Sequence, residues 1–136
     1  MKGVFLTIIG LLVSVGSAQN QPNVDFMNAD LYISIQSSDQ KIAGEATYLF
    51  RTSEPIATVF LDAKNMTFHE VRLNNRKVKY SYDDSKIVLH KRFKPGKEYR
   101  LELSYACIPK QTVYFLGWDD TIPNNEQIWT QGQGKY

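Results

Sequence analysis

Beyond residue 18 the chain is written in period two. Leu31, Ile33 and Ile35 alternate with Tyr32 and Ser34, and Ile42, Gly44, Ala46, Tyr48 and Phe50 share one face of a second run. Successive side chains of a strand point to opposite sides, so this spacing predicts two strands with one face each to bury. They flank the turn-forming stretch Ser37-Ser38-Asp39-Gln40 as a hairpin. Val59 and Leu61 follow Pro55, and Phe68, Val71 and Leu73 run up to Asn74-Asn75. Val78, Tyr80 and Tyr82 then alternate as far as Asp83-Asp84, which predicts further strands between turn residues. Ile87 and Leu89 form the next short run. Pro95-Gly96 is a turn in which proline presets φ at the second position and glycine accepts positive φ at the third. Tyr99, Leu101, Leu103 and Tyr105 alternate again, and Val113 to Leu116 and Gln127 to Gln131 close the series.

No window carries the 3.6-residue apolar repeat of a long helix. Short strands at near-regular spacing, each with a face to cover, predict an all-β domain: an antiparallel sandwich or a saddle-shaped pair of sheets.

Residues 1–18 are set aside from the fold. Met1 and Lys2 give a basic start, Gly3 to Val15 an uncharged apolar run, and Gly16-Ser17-Ala18 small residues ahead of Gln19. Together these read as a secretory signal peptide cleaved after Ala18, with the β-sandwich domain over 19–136 and a secreted or periplasmic destination. The apolar run is too short to span a bilayer comfortably, so no membrane span is expected after cleavage.

Composition narrows the function classes. Sixteen Lys+Arg against 14 Asp+Glu leave a net charge of +2, and 43% of residues are hydrophobic. This fits one globular domain and gives no concentrated basic face for nucleic acid, which is excluded as a partner. One cysteine, Cys107, cannot close an intrachain disulfide or build a thiolate metal cage alone.

Catalytic chemistry is sparse. His69-Glu70 opens like the zinc motif H-E-x-x-H, but the second histidine position holds Leu73, and the segment reads as a strand instead of a helix. It is read as a polar pair on a solvent face, and no metal site is assigned. His90, ahead of Lys91 and Arg92, reads as a solvated basic edge. Cys107 reads as a small buried residue, because no histidine lies near it in sequence to activate it. Asn65-Met66-Thr67 satisfies the N-glycosylation pattern, which matters only in a eukaryotic secretory pathway.

The last third is the most distinctive. Tyr114 to Trp118 is an aromatic run, read as core packing with Gly117 as a bulge. Trp129-Thr130-Gln131-Gly132-Gln133-Gly134-Lys135-Tyr136 sets two glutamines two apart among glycines. In a strand, Gln131 and Gln133 share a face, and Gly132 and Gly134 let a ligand approach closely, which makes a polar subsite. A flexible Gln/Gly-rich chain end fits the same composition.

The chain resembles the amino-terminal sheet domain of the aminopeptidase N family of zinc metallopeptidases, which includes the leukotriene hydrolases. The likeness runs through Asp30 to Ile35, Ile42 to Ala46, Val59 to Ala63, Phe93 to Gly96, Leu101 to Tyr105 and Thr130 to Gln133. With Trp129 before that last motif and Gly134-Lys135-Tyr136 after it, the likeness is to exported bacterial members. The resemblance implies that Gln131 lines the pocket for the first side chain of a peptide substrate. It also implies that Gln133 holds the substrate's free amine through its amide carbonyl.

The family's zinc ligands and catalytic glutamate belong to a later domain that this sequence does not contain. The expectation is a fragment of a secreted zinc aminopeptidase, incomplete at its C-terminal end and inactive alone, with no cofactor in this chain and zinc in the missing catalytic domain. That catalytic domain and the peptide N-terminus are the expected partners. The alternative is a stand-alone exported β-sandwich that binds a protein or a glycan.

Overall fold

The computed structural model describes residues 21–110, 113–119 and 121–130. The signal peptide expected over residues 1–18 lies outside the described residues. Ten strands account for nearly all the regular structure: β1 (Val24–Gln36), β2 (Lys41–Thr52), β3 (Ile56–Asp62), β4 (Met66–Leu73), β5 (Arg76–Lys77), β6 (Tyr80–Tyr82), β7 (Lys86–Phe93), β8 (Glu98–Cys107), β9 (Val113–Leu116) and β10 (Gln127–Thr130). They form a five-stranded sheet in the order β1-β2-β8-β4-β5, a three-stranded sheet β3-β7-β6, and a two-stranded ribbon of β9 and β10. Every pairing is antiparallel.

The turns follow the predicted chemistry. Asn74 and Asn75 both take positive φ, which suits the two-residue loop between β4 and β5, where Leu73 pairs with Arg76. The Asn74 side chain accepts the Arg100 N–H at 2.8 Å and so ties the loop to β8. Asp83 takes the N–H groups of Ser85 and Lys86 and the Ser85 hydroxyl on one carboxylate oxygen, while Asp84 takes the left-handed conformation between β6 and β7. Gly96 has φ +68°, as the Pro95-Gly96 turn requires.

The core lies between the two larger sheets. Phe50, Tyr99, Leu101, Leu103, Val71 and Leu73 point inward from the large sheet and meet Val59, Leu61, Ile87, Leu89 and Phe93 from the small one. At its centre the rings of Phe50, Phe93 and Tyr99 lie 5.0–5.7 Å apart in pairs.

Two irregularities keep this face apolar where strict alternation would break it. Phe68 and Val71 differ in parity, and the register shift between Phe68 and Glu70 makes His69 an extra residue, so both side chains face the core. A second shift between Phe26 and Asn28 does the same in β1, where Phe26 packs 5.4 Å from Phe50.

The structure departs from the sequence expectation in four places. First, β1 begins at Val24, well before Leu31. Leu31, Ile33 and Ile35 do sit on the core face, opposite Ala46, Gly44 and Ile42, yet they are 57%, 47% and 46% exposed. The small sheet has only three strands and leaves that part of β1 uncovered. Second, only Tyr80–Tyr82 of the strand expected from Val78 is formed: Val78 and Lys79 carry the chain from β5 in the large sheet to β6 in the small. Third, Cys107 ends β8 half-buried instead of enclosed. Fourth, the aromatic run does not enter the core. It forms the β9–β10 ribbon, whose register is unbroken, so Gly117 follows a strand and does not bulge within one.

One edge is sealed by a side chain. The Gln21 amide donates to the Phe60 carbonyl at 2.7 Å and accepts the Phe60 N–H at 3.0 Å, pairing with β3 as a neighbouring strand would. Gln21→Glu removes the donor while keeping the size, and is expected to cost about 1 kcal/mol in urea unfolding. Phe50→Ala, at the aromatic centre, is expected to cost about 3–5 kcal/mol, against a few tenths for Leu31→Ala on the same face. Equal costs for Phe50 and Leu31 would contradict the limit placed here on the small sheet's reach.

Candidate functional site

The histidines and the cysteine do not converge. His69 is exposed at the β4 bulge, and Glu70 beside it pairs with Arg72 at 2.6 Å, while Leu73 is buried in the core. His90 lies exposed on the small sheet with its Nε2 2.8 Å from the Ser81 hydroxyl. No carboxylate contacts that imidazole among the described residues to orient it as a base. Cys107 sits opposite Ile42 and Met66, where burial pushes its thiol pKa up. A nucleophilic cysteine needs the opposite shift. Among the described residues no three His, Cys, Asp or Glu side chains come together to hold a metal.

Open clefts on the described surface include two beside the large sheet. One, of about 430 Å³, runs between the start of β1 and the Pro95-Gly96 turn, and is lined by Asp25, Arg51 and Thr52 among others. The Asp25–Arg51 pair in its wall is 3.0 Å apart and well exposed, so it contributes little. The other, of about 320 Å³, lies on the outer face of the large sheet, where Glu70, Arg72, Arg100 and Glu102 alternate in sign and pair with one another. Neither cleft includes a residue of β9 or β10.

The sequence singled out Gln131 and Gln133, and both lie outside the described residues. What the structure does show is the strand that leads to them. Thr130, the last residue of β10, pairs with Val113, and Trp129 pairs with Tyr114. Those two rings lie 5.6 Å apart, and Trp129 is 50% exposed. On the other side of the ribbon Phe115 meets Trp118 edge-on at 5.6 Å.

Gly117 is confined by its backbone and its neighbours. Its φ is +84°, and a Cβ there would stand 2.6 Å from the Asn125 side chain and 2.8 Å from the Asn125 carbonyl. The Trp129–Tyr114 pair was not foreseen from the sequence. Its signal was present in the aromatic run and in Trp129, but which residues pair depends on the register across the intervening loop.

No family model matches this chain, and no curated protein sequence matches it. Solved structures do share its fold. A two-domain M1 zinc metallopeptidase bound to L-tryptophan superposes with a TM-score of 0.61 at 22% identity, over 68% of this chain and 22% of that one. An M1 zinc metallopeptidase variant from Deinococcus radiodurans, bound to a Tyr-Ser-Ala substrate, gives 0.60 at 22% identity over 66% and 22%. Yeast LTA4 hydrolase in complex with bestatin gives 0.58 at 17% identity over 69% and 16%. The fold is thus one found in M1 zinc metallopeptidases, and the chain spans less than a quarter of the length of these proteins.

Two outcomes test the local geometry. Gly117→Ala is expected to loosen the ribbon, with a change in tryptophan fluorescence and near-ultraviolet circular dichroism but an unchanged unfolding midpoint of the sandwich. A shifted midpoint would show that ribbon and sandwich unfold together. The Cys107 thiol is expected to react with a disulfide reagent at pH 8 more slowly in the folded chain than in urea, the gap closing as pH rises, because burial disfavours the thiolate. Equal rates in the two states would remove that role for burial.

Proposed function

We propose that this chain is the amino-terminal, substrate-framing domain of an exported zinc aminopeptidase. The observation that carries the reading is the fold, shared with M1 zinc metallopeptidases, one of which was solved with a Tyr-Ser-Ala substrate bound. The sequence resemblance agrees with it: the motif Thr130-Gln131-Gly132-Gln133 begins at the last residue of β10.

In this reading Gln131 forms part of the wall of the first side-chain pocket. Gln133 accepts a hydrogen bond from the substrate's ammonium group through its amide oxygen, which recognises the charged donor without a charge of its own. Peptide hydrolysis requires a metal-bound water and a base, and the family's residues for both belong to a separate catalytic domain. This domain therefore binds and positions, and the chemistry lies in further polypeptide.

A second reading keeps the domain as a binding module for a glycan or a protein. It is favoured by one observation, the half-exposed Trp129 tilted against Tyr114, exposed aromatic surface of the kind that sugars and partner side chains pack on.

The two readings separate in the reading frame downstream of Tyr136 and in the kinetics of its product. The first expects an H-E-x-x-H helix there, and Gln133→Ala in that longer protein is expected to weaken binding of aminoacyl substrates by about 1–3 kcal/mol. A frame without the motif would overturn the aminopeptidase assignment, and unchanged KM and kcat in the variant would retire the role given to Gln133.

A further inference from the structure

The sheet edges of this protein are treated unequally. In the large sheet β5 is two residues long and both are cationic, Arg76 and Lys77. In the small sheet the Gln21 amide occupies the edge of β3 at Phe60, and β6 has three residues. These are ordinary ways to keep unpaired N–H and C=O groups from recruiting another strand.

Among the described residues the fourth edge of the two larger sheets, β1, has none of them. β1 is 13 residues long, and every residue from Met27 to Gln36 is exposed. The bulge at Met27 ends its regular stretch, which leaves Asn28 to Gln36 as a straight, open run without lysine, arginine, proline or glycine. Asp30 is its one charged residue. Leu31, Ile33 and Ile35 stand exposed along one face of it.

From this contrast we propose that β1 pairs with β1 of a second copy of the chain, antiparallel about a two-fold axis at Ile33, joining two five-stranded sheets into one. The occupant is argued from the strand's own pattern. An axis at Ile33 sets Ile33 against itself and Leu31 against Ile35 of the partner, so all three apolar residues gain apolar neighbours across the seam. On the opposite face it sets Tyr32 against Ser34 and Asp30 against Gln36, so the only charge never meets its own copy. Moving the axis to Tyr32 keeps the faces but leaves Ile35 against Ala29. A slip by a single residue sets the apolar face against the polar one. The Ile33 axis is the register that satisfies both faces. The pairing rests on β1 alone and does not depend on the aminopeptidase reading.

The test is the solution mass of the chain purified without residues 1–18, none of which belongs to the described core. Sedimentation over a range of concentrations is expected to show a reversible dimer at twice the monomer mass. Ile33→Lys, which opposes two like charges, is expected to weaken it by roughly tenfold or more, with the circular dichroism spectrum unchanged because the side chain lies outside the core. In a Cys107→Ser background, Ile33→Cys is expected to crosslink to its own copy on mild oxidation, and Ser81→Cys, on the small sheet, is not. A chain that stays monomeric, one that assembles beyond two, or a dimer indifferent to Ile33→Lys or lacking the Ile33→Cys crosslink would each overturn the proposal.

Discussion

Everything else in this molecule hangs on one contact, the meeting of Phe50, Phe93 and Tyr99. Phe50 and Tyr99 face each other across β2 and β8 of the large sheet, and Phe93 reaches them from β7 of the small one. All three are almost wholly buried, and their edge-on and stacked geometries each add about 0.5–1.5 kcal/mol beyond the burial of area. The same knot fixes the path of the chain. The Tyr99 hydroxyl accepts the Lys94 N–H at 2.8 Å, just where the backbone leaves the small sheet, turns at Pro95-Gly96 and enters the large one. Gly96 in turn donates its N–H to the Thr52 carbonyl at the end of β2. Layer packing, crossover and turn are thus secured within a few residues of one aromatic cluster.

Away from that cluster the sandwich thins, and the consequences are unequal. On β4 and the start of β1, bulges re-aim Phe68 and Phe26 so that side chains of the wrong parity still reach the core. Further along β1 no such correction would help, because the small sheet does not extend over Leu31, Ile33 and Ile35. The face is built as an interior and left as a surface. Gly44 belongs to the same region: a Cβ there would stand 2.5 Å from the Tyr105 ring, so the absence of a side chain leaves that ring its room over β2. Among the described residues that face is an exposed apolar row beside an unpaired edge.

The chemistry contrasts with the packing. The described residues offer ion pairs, a serine–histidine contact and a thiol whose burial disfavours ionisation, and none of these assembles into a reacting group. What the fold supplies is placement. β10 is short and exposed, and the Trp129–Tyr114 pair and the tight turn at Gly117 hold it in register with β9 up to the threshold of the glutamine motif.

The sequence by itself determined the all-β class, the turns at Asn74-Asn75, Asp83-Asp84 and Pro95-Gly96, and the apolar faces of the central strands. Each of these follows from local rules: side chains alternate along a strand, and only certain residues accept the dihedral angles of a tight turn. The solvent exposure of His69 and His90 was legible for the same reason, and so was the absence of a second histidine after Glu70. Tertiary structure alone decided which apolar faces are covered. Leu31 and Leu101 carry the same alternation signal, yet one is largely exposed and the other wholly buried, because the extent of the partner sheet is a long-range property. It also decided that Tyr114 to Trp118 forms a separate ribbon, since a short apolar run does not encode whether it will pack in the core or pair with a strand downstream. Bulges, crossovers and edges belong to the same class. They depend on what lies across the sheet, and period two within a strand carries no information about its neighbour.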